Sequence, residues 1–171
     1  TDRASNQQRL FTITAVTNGG TGARPTKDGL SATAFPSGVR GTPVEINESL
    51  APLVFWRKEL RPGSGGAGKF RGGLGQRIEI ESAIGEDFEI LAAWDRIENP
   101  ARGRHGGDSG GRGGAFLASG ARLRGKGTQT VPSGDRLIIH TPGGGGFGDP
   151  ETRDAARVEA DEKRELVGAG D

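Results

Sequence analysis

The chain has 171 residues, enough for one domain with its own hydrophobic core, and its 23 basic and 22 acidic side chains leave a formal net charge of +1. That balance argues against binding to nucleic acid or an anionic membrane surface, and no apolar run approaches the roughly 20 residues that a membrane span needs. The absence of cysteine excludes a disulfide framework and a thiolate metal site, and it favours a cytoplasmic location.

Glycine is the most unusual part of the composition. It supplies 32 residues, whereas an average chain of this length holds about 12 at a share of roughly 7%. These glycines are concentrated between runs of alternating apolar and polar residues, which is typical of a folded β protein with tight loops rather than of a flexible tail. We therefore predict a mainly β fold, with mixed or antiparallel sheets, long glycine-rich loops and a short C-terminal helix.

The predicted elements follow in chain order. Strand patterns occur at residues 10–16, 77–81, 88–94, 115–118, 122–124 and 137–140, and shorter apolar runs lie at 44–46 and 52–56. The strict alternation at 77–81 predicts a strand covered on one face only, whereas Leu91 and Ala93 indicate that the run at 88–94 is buried on both faces. A capping Asp149, then Pro150, precedes good helix formers over 155–166, which predicts a helix at the end of the chain.

Common short sequence motifs do not identify a phosphate-binding, metal or catalytic site in this chain. Residues 63–69 have the spacing of a phosphate-binding loop, but Phe70 stands where Ser or Thr should hold magnesium, so a tight connection between strands is the favoured interpretation. Only two histidines exist, and neither has carboxylates at metal-ligand spacing, so no metal site is predicted in this chain. Glu45 and Glu48 would face opposite sides of an extended segment, or share a face if the chain turns helically, and a structural role is favoured for at least one of them.

Four glycine-rich or proline-bounded blocks resemble, in order, segments of hydantoinase B and 5-oxoprolinase proteins. They are residues 19–29 (GGTGARPTKDG), 43–53 (PVEINESLAPL), 61–75 (RPGSGGAGKFRGGLG) and 141–150 (TPGGGGFGDP). Each block is a weak signal, but the four occur in the family's order across residues 19–150, a span that takes in most of the chain, and together they are a strong one. The blocks belong to the C-terminal end of that family's larger catalytic subunit. Because the chain begins at Thr1 without methionine, we interpret it as a fragment, a processed chain or a split subunit. Residues 1–150 then form the β-rich region and residues 151–171 a helical tail.

The resemblance implies part of an ATP-dependent hydrolase that opens cyclic amides such as hydantoin, N-methylhydantoin, 5-oxoproline or another lactam. It implies an enzyme of two subunits (a heteromer) or of two fused halves, in which the hydantoinase A-type, actin-like partner binds ATP and activates the substrate by phosphorylation. A divalent metal is expected in the N-terminal part of the B-type subunit, outside this chain, and no nucleic-acid or membrane partner is expected. Two alternatives remain open: a subunit portion of an ATP-dependent ketone carboxylase, and a non-catalytic assembly domain that docks the ATP-binding subunit.

The matching blocks also supply the candidate site residues. We expect Asp28 and Glu48 to have catalytic roles, and Arg24, Arg71, Gly19 and Gly20 to bind the substrate. Arg24 and Arg71 have the geometry to bind a carboxylate or phosphate through paired hydrogen bonds. Runs such as 143–146 permit close approach of backbone to backbone or to ligand, but plain loop flexibility explains them equally well at this stage.

Overall fold

A four-stranded antiparallel sheet forms the centre of the fold in the computed structural model, which describes residues 11–33 and 41–168. Its strands lie in the order β1-β2-β6-β4, and β3 pairs with β5 in a separate two-stranded antiparallel sheet. Two α-helices and one 3-10 helix complete the described elements. In chain order the elements are α1 (Val44–Leu50), β1 (Leu53–Leu60), β2 (Gln76–Ser82), β3 (Phe88–Ala93), β4 (Gly114–Leu117), β5 (Lys126–Val131), β6 (Leu137–His140), the 3-10 helix (Pro150–Thr152) and α2 (Ala155–Lys163).

The hydrophobic core lies on one face of the four-stranded sheet. The register of β2 and β6 places Ile78 opposite Ile139 and Ile80 opposite Leu137, so that alternate residues of both strands share this face. Val131 of β5 joins them, which brings the small sheet against the large one. The mainly β prediction is therefore confirmed, and every strand pair in the described part of the chain is antiparallel.

The opposite face of β2 is covered by charge instead of by apolar side chains. Glu79 is buried there beneath three arginines: Arg57 at 3.3 Å, Arg77 at 3.0 Å and Arg136 at 3.6 Å. The strand is confirmed, but the prediction that only one of its faces is covered was wrong, because arginines bury Glu79 on the second face. The polar face contains a buried carboxylate, which is tolerated because several guanidinium groups compensate it.

Several strand predictions were wrong. Leu91 is 80% exposed, because the two-stranded sheet turns Phe88 and Ile90 toward the core and Leu91 toward solvent. Residues 11–16 form no strand, and Leu10 lies outside the described residues. The run at 44–46 begins helix α1, and the run at 122–124 makes one isolated bridge, from Arg122 to Phe116. Strand β5 was missed because its sequence, KGTQTV, is mostly polar.

The glycine-rich segments pack side by side into a second structural unit, which we call the glycine bundle. It consists of a central segment, 141–147, surrounded by segments 19–23, 64–67, 70–76 and 101–111. Hydrogen bonds from the centre to one neighbour recur at every third residue, each 2.9 Å long: Thr141 N–H to Gln76 O, Gly144 N–H to Gly73 O and Phe147 N–H to Phe70 O. A second neighbour follows the same period, with Gly20 N–H to Pro142 O at 2.8 Å and Ala23 N–H to Gly145 O at 2.9 Å.

This three-residue repeat is the period of the polyproline II conformation, which has no internal hydrogen bonds and turns successive backbone groups toward different neighbours. Most glycines of the bundle leave no room for a side chain. A Cβ on Gly144 would clash with the carbonyl group of Thr21 and would lie 2.8 Å from Gly22 N. Close packing of backbone against backbone, rather than loop flexibility, therefore explains the glycine runs.

The end of the chain forms two short helices. Asp149 accepts a hydrogen bond from Glu151 N–H (2.9 Å) and starts the 3-10 helix at Pro150. Asp154 then caps α2 by accepting from the N–H groups of Ala156 (3.0 Å) and Arg157 (3.3 Å). The predicted C-terminal helix is thus confirmed, with an interruption before Asp154. In the described part of the chain, neither helix has the length or apolar character needed to cross a bilayer.

Candidate functional site

Five charged residues meet where α2 packs on the glycine bundle. We call this group, Asp28, Arg71, Arg153, Arg157 and Asp161, the Asp28–Asp161 cluster. Asp28 follows the turn at residues 24–27, Arg71 comes from a bundle segment, Arg153 lies between the 3-10 helix and α2, and Arg157 and Asp161 lie in α2. The cluster therefore joins parts of the chain that lie more than 80 residues apart.

Arg153 lies at the centre of the cluster. Its two terminal nitrogens donate to the two Asp28 carboxylate oxygens at 2.9 and 3.1 Å, and one of them also reaches Asp161 at 2.6 Å. Arg71 donates its side-chain Nε to Asp161 at 3.2 Å and its backbone N–H to Asp28 at 2.7 Å. The side chains of Arg71, Arg153 and Asp161 are about nine-tenths buried, so these bonds operate largely out of water.

The surroundings of Asp28 and Arg153 favour the charged forms of both side chains. Partial burial is the largest single influence and would raise the pKa of Asp28. The hydrogen bond from Arg153, the N–H of Arg71 and the charges of Arg153 and Arg157 together outweigh burial and hold the pKa below its ordinary value. The hydrogen bond to Asp28 likewise raises the pKa of Arg153. Asp28 is therefore a poor proton acceptor near neutral pH, which suits an anchoring role better than general-base catalysis.

A cleft of about 150 Å³ lies beside the cluster. The side chains of Arg71, Arg153 and Asp161 border it, and their charged groups bond to one another. The remaining lining residues are small or apolar: Ala67, Gly68, Pro150, Val158 and Val167. The cleft therefore offers mainly apolar contact.

The structure brings only some of the predicted site residues together. Asp28 and Arg71 meet in the cluster, where both are bonded within the fold. Gly19 and Gly20 lie in the bundle, where a Cβ on either would collide with the carbonyl of Pro142 or Gly73. Their backbone positions are consistent with close packing, and no described contact assigns them a substrate.

Arg24 and Glu48 lie apart from those bonds. Arg24 is on an exposed turn closed by hydrogen bonds with Lys27, and its guanidinium donates one long bond, 3.4 Å, to the carbonyl of Asp28. Glu48 lies in α1, where its carboxylate accepts from the backbone N–H of Phe55 at 2.8 Å. Since α1 is helical, Glu45 and Glu48 fall on neighbouring positions of one helix face, as the helical alternative predicts.

Sequence reasoning missed three members of the cluster. Arg153, Arg157 and Asp161 were not singled out, because they lie in the predicted helical tail, outside the matching blocks. Their spacing of four residues was an available signal, since residues at this interval line one face of a helix. The spacing does not show which residue Arg153 binds, because its partner Asp28 lies 125 residues away in the sequence.

Four backbone N–H groups of the segment with phosphate-loop spacing already donate to carbonyl oxygens of the fold. The N–H groups of Gly63, Ser64, Gly66 and Lys69 donate to carbonyl oxygens of Leu166, Arg61, Gly144 and Gly148 respectively.

Over residues 11–33 and 41–168, no group of three or more His, Asp or Glu side chains is placed to hold a metal ion. The carboxylates of Asp28 and Asp161 share Arg153, whose charge opposes a cation there. These residues do not fit the divalent metal that the family resemblance implies.

Comparison with known proteins identifies the wider group. The Hydantoinase B/oxoprolinase family matches residues 1–150. 5-Oxoprolinase 1 of Arabidopsis thaliana is 41% identical over 135 residues, covering 76% of this chain and 10% of that protein. Caprolactamase subunit beta of Pseudomonas jessenii is 29% identical over 181 residues, covering 96% of this chain and 30% of that subunit.

Solved structures agree with the sequence comparison. The crystal structure of the ATP-dependent caprolactamase from Pseudomonas jessenii superposes with a TM-score of 0.73 at 28% identity, over 90% of this chain and 28% of that chain. An acetone carboxylase shares the fold, with a TM-score of 0.66 at 24% identity over 88% of this chain and 25% of that chain. The chain thus belongs to the hydantoinase B/oxoprolinase family, and it spans less than a third of the length of each of these relatives.

Proposed function

We propose that this chain forms the C-terminal part of the B-type half of an ATP-dependent enzyme that hydrolyses cyclic amides. The observation that carries the proposal is the match to the ATP-dependent caprolactamase over 90% of the chain. The 41% identity to a 5-oxoprolinase supports the same substrate class, because both relatives are named for lactam substrates. Coupling to ATP has a physical motive, since an unstrained cyclic amide gains little from ring opening and ATP cleavage supplies the driving force.

Within that enzyme the chain acts mainly as a rigid scaffold. Hydrogen bonds link the segments of the bundle to one another, and both carboxylates of the Asp28–Asp161 cluster are paired with arginines of this chain. Asp28 and Arg71 therefore fix α2 on the bundle, and Glu48 fixes α1 on strand β1. ATP binds to an A-type partner subunit, and a divalent metal, where the enzyme uses one, is held by the part of the B-type half outside this chain.

Arg24 is the predicted site residue best placed to contact something outside the chain. Among the described residues, its guanidinium makes the single long bond to Asp28 O, and the tight turn holds it at the surface. A carboxylate of a substrate or of a neighbouring segment is the group that a guanidinium of this kind binds best.

The test is an assay of the assembled enzyme, purified with its ATP-binding partner. 5-Oxoproline, hydantoin and caprolactam are supplied separately, and ring-opened product and ADP are measured in parallel. We expect product formation with at least one cyclic amide, only in the presence of ATP and with matching ADP release. In the same assay Arg24→Ala should lower kcat/KM by about tenfold, equivalent to about 1.4 kcal/mol, whereas Arg122→Ala on an exposed ion pair should leave it unchanged.

Two results would contradict the proposal. Ring opening that proceeds without ATP would remove the coupling. Incorporation of labelled bicarbonate into a ketone, without turnover of any cyclic amide, would assign the enzyme to the carboxylases instead.

A further inference from the structure

Helix α1 presents an apolar surface that the described part of the chain leaves uncovered. Asn47 and Ala51 face inward and are buried, whereas Ile46 and Leu50, one helical turn apart, are 47% and 60% exposed. Exposed leucine alone needs no explanation, but two large aliphatic side chains stacked on one face of a short helix form a continuous apolar stripe.

The helix has little intrinsic stability. It has seven residues, begins at Pro43 without a side-chain cap, and contains the weak helix formers Val44, Ile46 and Asn47. A helix this short does not persist in water by propensity alone, so its stability must come from packing. The bond from Glu48 to Phe55 N–H and the burial of Asn47 and Ala51 supply that packing on one side only.

The neighbouring segment extends the same surface. Ala15, Val16 and Thr17 line a crevice together with Asn47 of α1 and Phe55 of β1. Val16 is 56% exposed, so it adds apolar area beside α1. We call the surface formed by Val16, Ile46 and Leu50 the α1 surface.

The α1 surface also lies at an open edge of the sheet. Strand β1 is the end strand in the order β1-β2-β6-β4, and no described strand pairs with its outer side. Unpaired edges that carry apolar side chains promote aggregation, and folded proteins usually cover them. A covering element is therefore expected over α1 and this edge.

We propose that the α1 surface is where the rest of the B-type half packs on this chain. The related caprolactamase chain contains this fold as 28% of its length, so most of that polypeptide is continuous with it and available to cover it. The side chains of Ile46 and Leu50 are apolar, and the Glu48 carboxylate between them in sequence is already bonded to β1, which fits a permanent interface within one folding unit better than a reversible, polar one. The inference uses family membership and does not depend on the reaction that the enzyme catalyses.

Photocrosslinking in the complete B-type half, assembled with its partner, tests the contact. The photoreactive residue p-benzoylphenylalanine replaces Leu50, and in a separate preparation it replaces Leu91, which is 80% exposed on the small sheet and serves as the matched control. We expect position 50, and not position 91, to crosslink to a peptide of the B-type half outside residues 1–171. A crosslink from position 50 to the ATP-binding subunit, to a second copy, or to residues 1–10 or 34–40 of this chain would overturn the proposal, as would the absence of any crosslink.

Amide exchange gives an independent measurement. Leu50→Asp places a charge in the interface and should raise exchange at least about tenfold in a peptide outside residues 1–171, whereas Leu91→Asp should not. Faster exchange confined to α1 itself would show only local destabilisation of the helix and would count against the interface. Neither measurement requires turnover, so failure of this proposal and failure of the proposed hydrolase activity are distinguishable.

Discussion

Glycines in the bundle and at its edge are required for two different physical reasons. Gly144 is required by space, because a side chain there would enter the backbone of the segment that contains Thr21. Gly148 is required by conformation, because its φ of 77° is one that residues with a Cβ adopt at a cost. The glycine content alone therefore does not show how strongly glycine is required at each position, since that depends on the surrounding segments.

Substituting glycine at two positions of the same bundle separates crowding from a general effect of alanine. Gly144→Ala should lower the free energy of unfolding by about 1–3 kcal/mol or more, because the new methyl group forces two backbone segments apart. Gly22→Ala is the matched control, since its Cβ would meet nothing nearer than Gly145 O at 3.9 Å. It should change stability by less than about 0.5 kcal/mol. Denaturant unfolding of the purified protein measures both, and equal losses would show that crowding does not constrain the bundle.

At the scale of elements, α2 is held by charge more than by apolar burial. Its buried residue is Asp161, and Val158 is partly exposed. Asp161 and Arg157, with Arg153 just before the helix, connect it to Asp28 and Arg71 in the bundle. A helix anchored in this way should depend on pH, because its attachment requires an ionised carboxylate.

The variant Asp28→Asn tests that dependence. Because the folded pKa of Asp28 lies below its unfolded value, ionised Asp28 stabilises the fold above about pH 4, and this contribution is lost as the pH falls through the folded pKa. At pH 7 the variant should lose about 1–3 kcal/mol of stability, and the difference from the parent protein should shrink as the pH falls below about 4. Urea unfolding at pH 7 and pH 3 measures it.

The matched control for Asp28→Asn is Asp95→Asn. Asp95 pairs with Lys126 at 2.7 Å, but both side chains are mostly exposed, so this variant should have little effect at either pH. If Asp28→Asn cost as much at pH 3 as at pH 7, its contribution would come from packing rather than from charge.

The elements that sequence predicted well are those in which local pattern and burial agree. Ile78 and Ile80 alternate with charged residues, so β2 was recognisable, whereas β5 buries only Val131 within a polar sequence and was not. In α1 the letters VEI favour a strand, and only packing against β1 makes the segment helical.

The candidate site was less accessible from sequence. Asp28 and Arg71 were selected from family blocks, and the structure brings them together across 43 residues. Arg153, which joins Asp28 to Asp161, shared only the four-residue spacing with Arg157 and Asp161, and that spacing does not identify a partner. A charge cluster assembled from distant segments depends on tertiary packing, which neither periodicity nor spacing encodes.

At the scale of the whole molecule, one continuous segment connects the sheet with the bundle. Strand β6 ends at His140, and the central bundle segment begins at the next residue, Thr141. Thr141 is hydrogen-bonded to Gln76, where the bundle segment 70–76 enters β2. The chain therefore passes between the bundle and the sheet at two neighbouring positions, Gln76 and Thr141. Unfolding of either unit therefore breaks hydrogen bonds that stabilise the other.

This shared segment predicts a single cooperative unfolding transition. Tryptophan fluorescence, from Trp94 packed against the core and Trp56 in β1, reports on the sheets, and amide exchange at Gly144 reports on the bundle. Under rising denaturant the two probes should give the same midpoint. Ile139→Val in the core should lower both by an equal amount, with a loss of about 0.5–1.5 kcal/mol. Gly144→Ala should also move both midpoints together, although its direct effect lies in the bundle. Separate midpoints, or a shift confined to the mutated unit, would mean that the bundle and the sheet fold independently and that residues 137–147 act only as a covalent link.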